Sequence, residues 1–236
     1  MTENIPPGFK IEKDRLVHEK TKEYFLIRNR SLDEIDHTFR GLIKKIVPAM
    51  VDIYGKGNVK ILDVGGGQES KASKELANLN VQVFNADLLA RPSDKKANFY
   101  PLPASVFNLP FENSTFDFIF TRQLLPYFNP TKNDKALNEI ARVMKPGAVG
   151  LVDEPFYSHP KYYKTDLKKL EGQLSSKISI VDTGMFLDLT DKLQKIVDPE
   201  MFPPGKFLVI QKLPIVTLIN KVIDKVPQKL PLWKTK

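Results

Sequence analysis

Between residues 60 and 153 short apolar runs alternate with amphipathic stretches. The runs at 60–64, 81–85, around Phe99, at 116–121 and at 149–153 have the length and character of buried strands. The stretches at 70–79 and about 131–144 carry their apolar residues at helical spacing. A β-then-α rhythm of this kind predicts a parallel sheet with helices on both faces. Upstream, Ser31-Leu32-Asp33-Glu34 has the form of a capping box, and Ile35, Phe39, Leu42, Ile43, Ile46 and Met50 follow at helical spacing until Gly55. One amphipathic helix over 32–54 is expected. Downstream the pattern loosens at Pro155 and Pro160, with strand candidates at 178–181 and 206–211 around a helical segment at 188–197. Residues 214–236 read as a basic amphipathic helix ending in a Pro, Trp and Lys tail. The expected organisation is an N-terminal helical cap (1–56), a core domain (57–213) and this tail (214–236).

The densest chemistry lies at Lys60-Ile61-Leu62-Asp63-Val64-Gly65-Gly66-Gly67-Gln68-Glu69-Ser70, where an apolar strand ends in an acid and breaks into glycines. Glycines let the chain turn sharply and let a ligand approach the main chain, while the next helix offers free N–H groups. The pattern suits a nucleotide-like cofactor. A dinucleotide fingerprint would place a third glycine or an alanine at 70, where this chain has Ser70, so NAD fits imperfectly.

Composition narrows the chemistry by exclusion. The 236 residues are 42% hydrophobic and 27% charged, as in one globular α/β domain. There is no cysteine, which removes disulfides, thiolate metal sites, iron–sulfur clusters and cysteine nucleophiles together. No metal site is expected. The net charge of +8 permits nucleic acid or anionic lipid as a partner, but it rests on scattered Lys rather than an Arg-rich block. Without a membrane-spanning run or an apolar signal core at the amino terminus, a cytoplasmic location is expected.

Read together, four segments resemble the class I S-adenosylmethionine-dependent methyltransferases, close to the small-molecule type. They are the stretch 60–67, the strand 81–87 ending in Asp87, the block Leu109-Pro110-Phe111-Glu112-Asn113-Ser114-Thr115-Phe116-Asp117, and Glu139-Ile140-Ala141-Arg142-Val143-Met144-Lys145-Pro146-Gly147. The resemblance implies a Rossmann-like, doubly wound, mostly parallel seven-stranded sheet flanked by helices, with S-adenosyl-L-methionine as cofactor. It also implies roles. The backbone of Gly65, Gly66 and Gly67 would approach the methionine part, with Asp63 holding the loop. Asp87 would accept from the ribose hydroxyls, Ser105 and Val106 would border adenine, and Arg122 would face the methionine part or pair with an acceptor carboxylate or phosphate. Three positions depart from the family pattern. Glu69 replaces a usual third glycine and would stand beside the cofactor's carboxylate or at a helix amino terminus, Ser105 replaces Asp or Asn, and the connection 88–97 is short and broken by Pro92.

Methyl transfer asks the protein to align an acceptor, exclude water and remove a proton where one must leave. Glu154 and His159, just past the fifth strand, are the candidate catalytic bases, with Asp153 beside them; His18 and His37 are weaker candidates. Phe9, Tyr24 and Phe25 are candidate walls of an acceptor pocket. The acceptor expected is a small molecule, and a lipid-like one would suit a C-terminal helix that docks on anionic membrane instead of closing the domain. Nucleic acid is not favoured: the chain lacks the cysteine of pyrimidine-C5 enzymes, and Thr121-Arg122-Gln123-Leu124 stands where base-amine enzymes carry Asn/Asp-Pro-Pro-Tyr/Phe. Ribose or ring-nitrogen methylation of RNA, a non-catalytic cofactor-binding module, and an NAD-dependent oxidoreductase are the competing readings.

Overall fold

The computed structural model describes residues 5–13, 15–22, 24–27, 29–128, 130–153, 178–180 and 207–212. A seven-stranded sheet is built from β4 (Lys60–Val64), β5 (Gln82–Asp87), β6 (Phe99–Pro103), β7 (Phe116–Arg122), β8 (Met144–Asp153), β9 (Ile178–Ile180) and β10 (Phe207–Lys212). Its order is β6-β5-β4-β7-β8-β10-β9. The five strands from β6 to β8 run parallel, and β10 returns antiparallel between β8 and β9. The expected doubly wound, mostly parallel architecture is therefore present.

Successive side chains of the central strands feed two different cores. Ile61, Phe118, Phe120 and Leu151 pack with α2 (Leu42–Tyr54) and α3 (Lys71–Ala77), whereas Leu62, Val64, Ile119 and Val152 pack with α4 (Pro130–Val143). A strand buried on both faces has no polar side to show, which is why these runs are continuously apolar. No helix among the described residues is long and apolar enough to cross a membrane.

Two expectations about the amino-terminal segment are corrected. The helix expected over 32–54 is two, α1 (Leu32–Thr38) and α2, parted at Arg40 and Gly41, both in the left-handed region with φ of 55° and 81°. The capping box opens α1 as read, while the buried Asp36 carboxylate accepts the Ile43 and Lys44 N–H groups at 2.8 and 3.3 Å and so caps α2. The segment ahead of α1 is not helical: β1 (Phe9–Glu12), β2 (Arg15–His18) and β3 (Tyr24–Leu26) form a separate antiparallel sheet. Pro146-Gly147, expected to precede the fifth strand, lies inside β8, where Gly147 has φ 80° and the β7–β8 register shifts between Phe116 and Phe118.

The two most distinctive sequence blocks hold each other. Arg142 on α4 donates to the Phe111 and Leu109 carbonyls at 2.7 and 2.9 Å and to both Glu139 oxygens, while Glu139 accepts the Leu109 N–H at 2.8 Å. The Arg142 guanidinium keeps the Glu139 carboxyl below its ordinary range. Asp117 accepts the Lys60 N–H and pairs with Lys145, fastening the starts of β4 and β8 to β7. These residues build the frame and do not line the cavity beside the glycine loop. The segments 188–197 and 214–236 lie outside the described residues.

Candidate active site

In an open parallel sheet, ligands settle beyond the carboxyl ends of the strands where the winding reverses. Here that point lies between β4 and β7, and the glycine loop leaves the end of β4 there. Gly65 and Gly67 have φ of 78° and 82°, which side chains other than glycine rarely adopt. Gly66 is required for a different reason: a Cβ on it would fall 2.2 Å from Asp63 Oδ2 and 2.6 Å from Asn85 Oδ1. The turn is fixed by three bonds: Gly65 N–H to the Ala86 carbonyl at 2.8 Å, Gly67 N–H to Asp87 Oδ2 at 2.9 Å, and Asn85 Nδ2 to the Gly67 carbonyl at 2.9 Å.

Two acids sit against this loop. Asp63, 2% exposed, accepts from Ser73 and Ser70 hydroxyls at 2.6 and 3.3 Å. Burial raises its carboxyl to about 7, only partly opposed by Ser73, and the nearby Asp87 pushes it the same way. Asp87 accepts Leu89 N–H at 2.8 Å through its other oxygen, and burial raises its carboxyl as well. A carboxyl raised in the folded state favours folding most below the unfolded carboxylate range, near pH 4, and that contribution is lost as pH rises through the folded value. For Asp63 the loss should run from about pH 4 up to the folded value of about 7 and level off above it. The melting temperature of the ligand-free protein should therefore fall between about pH 4 and 7, and Asp63→Asn, whose oxygen can still accept from both serines, should reduce that fall. An equally steep fall in the variant would show that Asp63 is not the group responsible.

Around the loop opens a cavity of about 490 Å³, a size typical of small-molecule sites. It brings together Asp63, Gly65, Gly66, Gly67, Asp87, Ser105, Val106 and Arg122. Ser105 and Val106 lie in a tight turn, with the Asn108 N–H on the Ser105 carbonyl at 3.0 Å and the Phe107 N–H on its hydroxyl oxygen at 3.3 Å. Glu69 does not line the cavity: its carboxylate accepts from the Asn29 amide, turned toward the amino-terminal segment. No acid from that position therefore stands beside a bound carboxylate.

The far wall comes from the small amino-terminal sheet and its exit: Phe9, Leu16, His18, Thr21, Ile27 and Arg30, joined by Ile35 of α1. Phe9 is thus in the wall as expected, while the side chains of Tyr24 and Phe25 lie outside the described residues, as do Glu154 and His159. His18 faces Phe9 edge-on at 4.8 Å. Its Nδ1 accepts the Thr21 N–H at 3.1 Å, which places the proton of the neutral ring on Nε2. That bond leaves His18 Nε2 to face other partners. His37 is exposed on α1, away from the cavity. The sequence reading missed Asn85, Ser73, Arg30 and Lys132; an Asn within an apolar strand was the available signal for the first.

Residues 62–152, which carry the glycine loop, both acids and Arg122, match the model of a methyltransferase domain family. That stretch is similar to a methyltransferase domain. Among solved structures, the fold is similar to magnesium protoporphyrin IX methyltransferase from Synechocystis (13% identity, 76% of this chain and 82% of that one, TM-score 0.48). It is also similar to the YcgJ protein of Bacillus subtilis (16%, 71% and 97%, TM-score 0.45). A third is phosphoethanolamine N-methyltransferase 2 of Haemonchus contortus (19%, 72% and 52%, TM-score 0.43). No curated protein sequence matches the chain.

The cofactor of such a methyltransferase domain is S-adenosylmethionine, and the residues present fit it. The three loop glycines, both acids and Arg122 line one cavity, and the polar set has the right signs. Asp63 and Asp87 would meet the cofactor's cationic and ribose groups, Arg122 its carboxylate, and Val106 and Leu89 the adenine face.

Proposed function

We propose that this protein transfers a methyl group from S-adenosylmethionine to a small-molecule acceptor with a substantial apolar part. The observation that carries the reading is continuity: one cavity runs from the glycine loop to a wall of Phe9, Leu16, Ile27 and Ile35, so cofactor and acceptor could share it. The glycine loop, Asp63, Asp87 and Arg122 would hold S-adenosylmethionine, which would supply a sulfonium methyl group to the acceptor and leave as S-adenosylhomocysteine, with any acceptor proton going to a base.

The protein's part is alignment and exclusion of water. The rigid loop and Asp87 orient the cofactor, and the amino-terminal sheet covers the reacting space. Phe107 and Phe128, with ring centroids 4.8 Å apart, add an apolar flank. His18 and Gln123 offer donors that could hold an acceptor oxygen. For proton removal we retain Glu154 and His159, because β8 ends at Asp153 in register with Arg122, delivering the chain to this edge of the sheet. A lipid-like acceptor would be brought to the site by the basic segment 214–236 at an anionic membrane.

Calorimetry with S-adenosylmethionine, S-adenosylhomocysteine and NAD tests the cofactor. Both sulfur compounds should bind and NAD should not; absence of binding by both would end the methyltransferase reading. A transfer assay using labelled cofactor against metabolite and lipid extracts then finds the acceptor, and binding without any transfer would favour the non-catalytic module.

A further inference from the structure

The two acids of the glycine turn have different kinds of partner. Asp87 receives a main-chain donor on each oxygen, Gly67 N–H at 2.9 Å and Leu89 N–H at 2.8 Å. A main-chain N–H only donates, so this pair serves a carboxylate and opposes the burial that raises Asp87. Asp63, 2% exposed near the end of β4, meets instead the hydroxyls of Ser73 and Ser70 at 2.6 and 3.3 Å, both on Oδ2. A hydroxyl donates or accepts according to how it turns, so the same two contacts serve Asp63 with or without a proton.

The surroundings of Asp63 favour the proton while the site is empty. Asn85 is fully buried, and its amide is oriented by Nδ2, which donates to the Gly67 carbonyl. Its Oδ1 is left buried without a donor among the described residues. The point that a Cβ on Gly66 would occupy is 2.6 Å from this oxygen and 2.2 Å from Asp63 Oδ2, so an orphan acceptor and a carboxyl crowd one spot. An ionised Asp63 repels that acceptor, whereas a neutral one brings an O–H donor beside it. Arg122 at the end of β7, Arg30 ahead of α1 and Lys132 of α4 line the same cavity, but the charge that bears on Asp63 is Asp87, of its own sign.

We propose, resting on the methyltransferase reading, that Asp63 carries a proton in the empty site and gives it up to solvent when its carboxylate receives the cofactor's ammonium, so that cofactor binding releases a proton. The O–H bond of Asp63 breaks, the proton passes to water or buffer, and the ammonium keeps all of its own protons. Asp63 then has the counter-charge that the protein itself withholds. Asn85 is a positioning residue for this exchange, holding Asp63 neutral until a cation arrives. Cofactor affinity therefore rises with pH, and a ligand without an ammonium gains nothing from the exchange.

The test is titration calorimetry of the full chain with S-adenosylhomocysteine at about pH 6, 7 and 8, each in phosphate and in imidazole, two buffers of unlike ionisation enthalpy. With the Asp63 carboxyl at about 7, the difference in heat between buffers should correspond to about 0.9 proton released at the lowest pH and about 0.1 at the highest, and affinity should rise about tenfold across the range. Adenosine, which lacks the ammonium, should release none. Asp63→Asn should bind S-adenosylhomocysteine with the same heat in both buffers, and any exchange carried by the His18 imidazole would survive in that variant. Ser73→Ala removes the hydroxyl that most favours ionised Asp63, so its release should persist to higher pH than in the parent. Equal heats in the two buffers at every pH, a release that persists in Asp63→Asn, or an unshifted release in Ser73→Ala would each overturn the inference while leaving cofactor binding and the methyltransferase reading intact. No binding of S-adenosylhomocysteine at any pH would strike both.

Discussion

Gly66→Ala is expected to abolish cofactor binding, with affinity for S-adenosylhomocysteine down by more than about 100-fold. The added methyl would overlap Asp63 Oδ2 at 2.2 Å and Asn85 Oδ1 at 2.6 Å. Neither neighbour can retreat. Asp63 is held by the Ser70 and Ser73 hydroxyls on the first turn of α3, and Asn85 is held by its own bond to the Gly67 carbonyl. The loop must move instead, taking with it the Gly67 N–H that binds Asp87. Overpacking of this kind costs about 1–3 kcal/mol in cores, so the variant should still fold but melt lower. Calorimetry on the folded variant is decisive: parental affinity would mean that the loop does not cradle the cofactor.

Asp87→Ala should also weaken S-adenosylhomocysteine binding by about 30-fold or more, and for a separable reason. The carboxylate accepts two loop N–H groups, Gly67 and Leu89, and its place at the end of β5 suits the two ribose hydroxyls. Adenosine, which has the ribose without the methionine part, distinguishes the roles. If Asp87 reads the ribose, adenosine binding falls along with that of the whole cofactor. An unchanged affinity for both would refute the ribose assignment. The melting temperature should fall as well, because two partly buried N–H groups lose their acceptor, at up to about 1–3 kcal/mol apiece.

The parallel core was legible because burial on both faces leaves its mark directly in the residues: Ile61-Leu62 and Phe118-Ile119-Phe120 are apolar on both parities, and neither parity can be given to solvent. The amino-terminal sheet was not, since its strands are three or four residues long and Ile11 is exposed while Leu16 and Val17 are buried, a pattern shared by many loops. The break between α1 and α2 left a visible glycine at position 41, but the apolar spacing runs on across it and conceals the turn. In the site, the glycines and Asp87 were readable because their spacing is local. Arg30 and Lys132 reach the cavity only through folding, 93 and 9 positions from Gln123, and no local pattern marks them.

The residues just before α1 are sewn to the helix that follows the glycine loop: Asn29 joins Glu69 and accepts the Lys71 N–H, the Arg30 carbonyl accepts the Ala72 N–H at 3.1 Å, and Glu75 accepts the Leu32 N–H at 2.8 Å. Glu69, the residue that departs from the family pattern, thus acts as a clasp between two parts of the chain that a third glycine could not have joined. The amino-terminal wall of the cavity and the glycine turn are thus one mechanical piece.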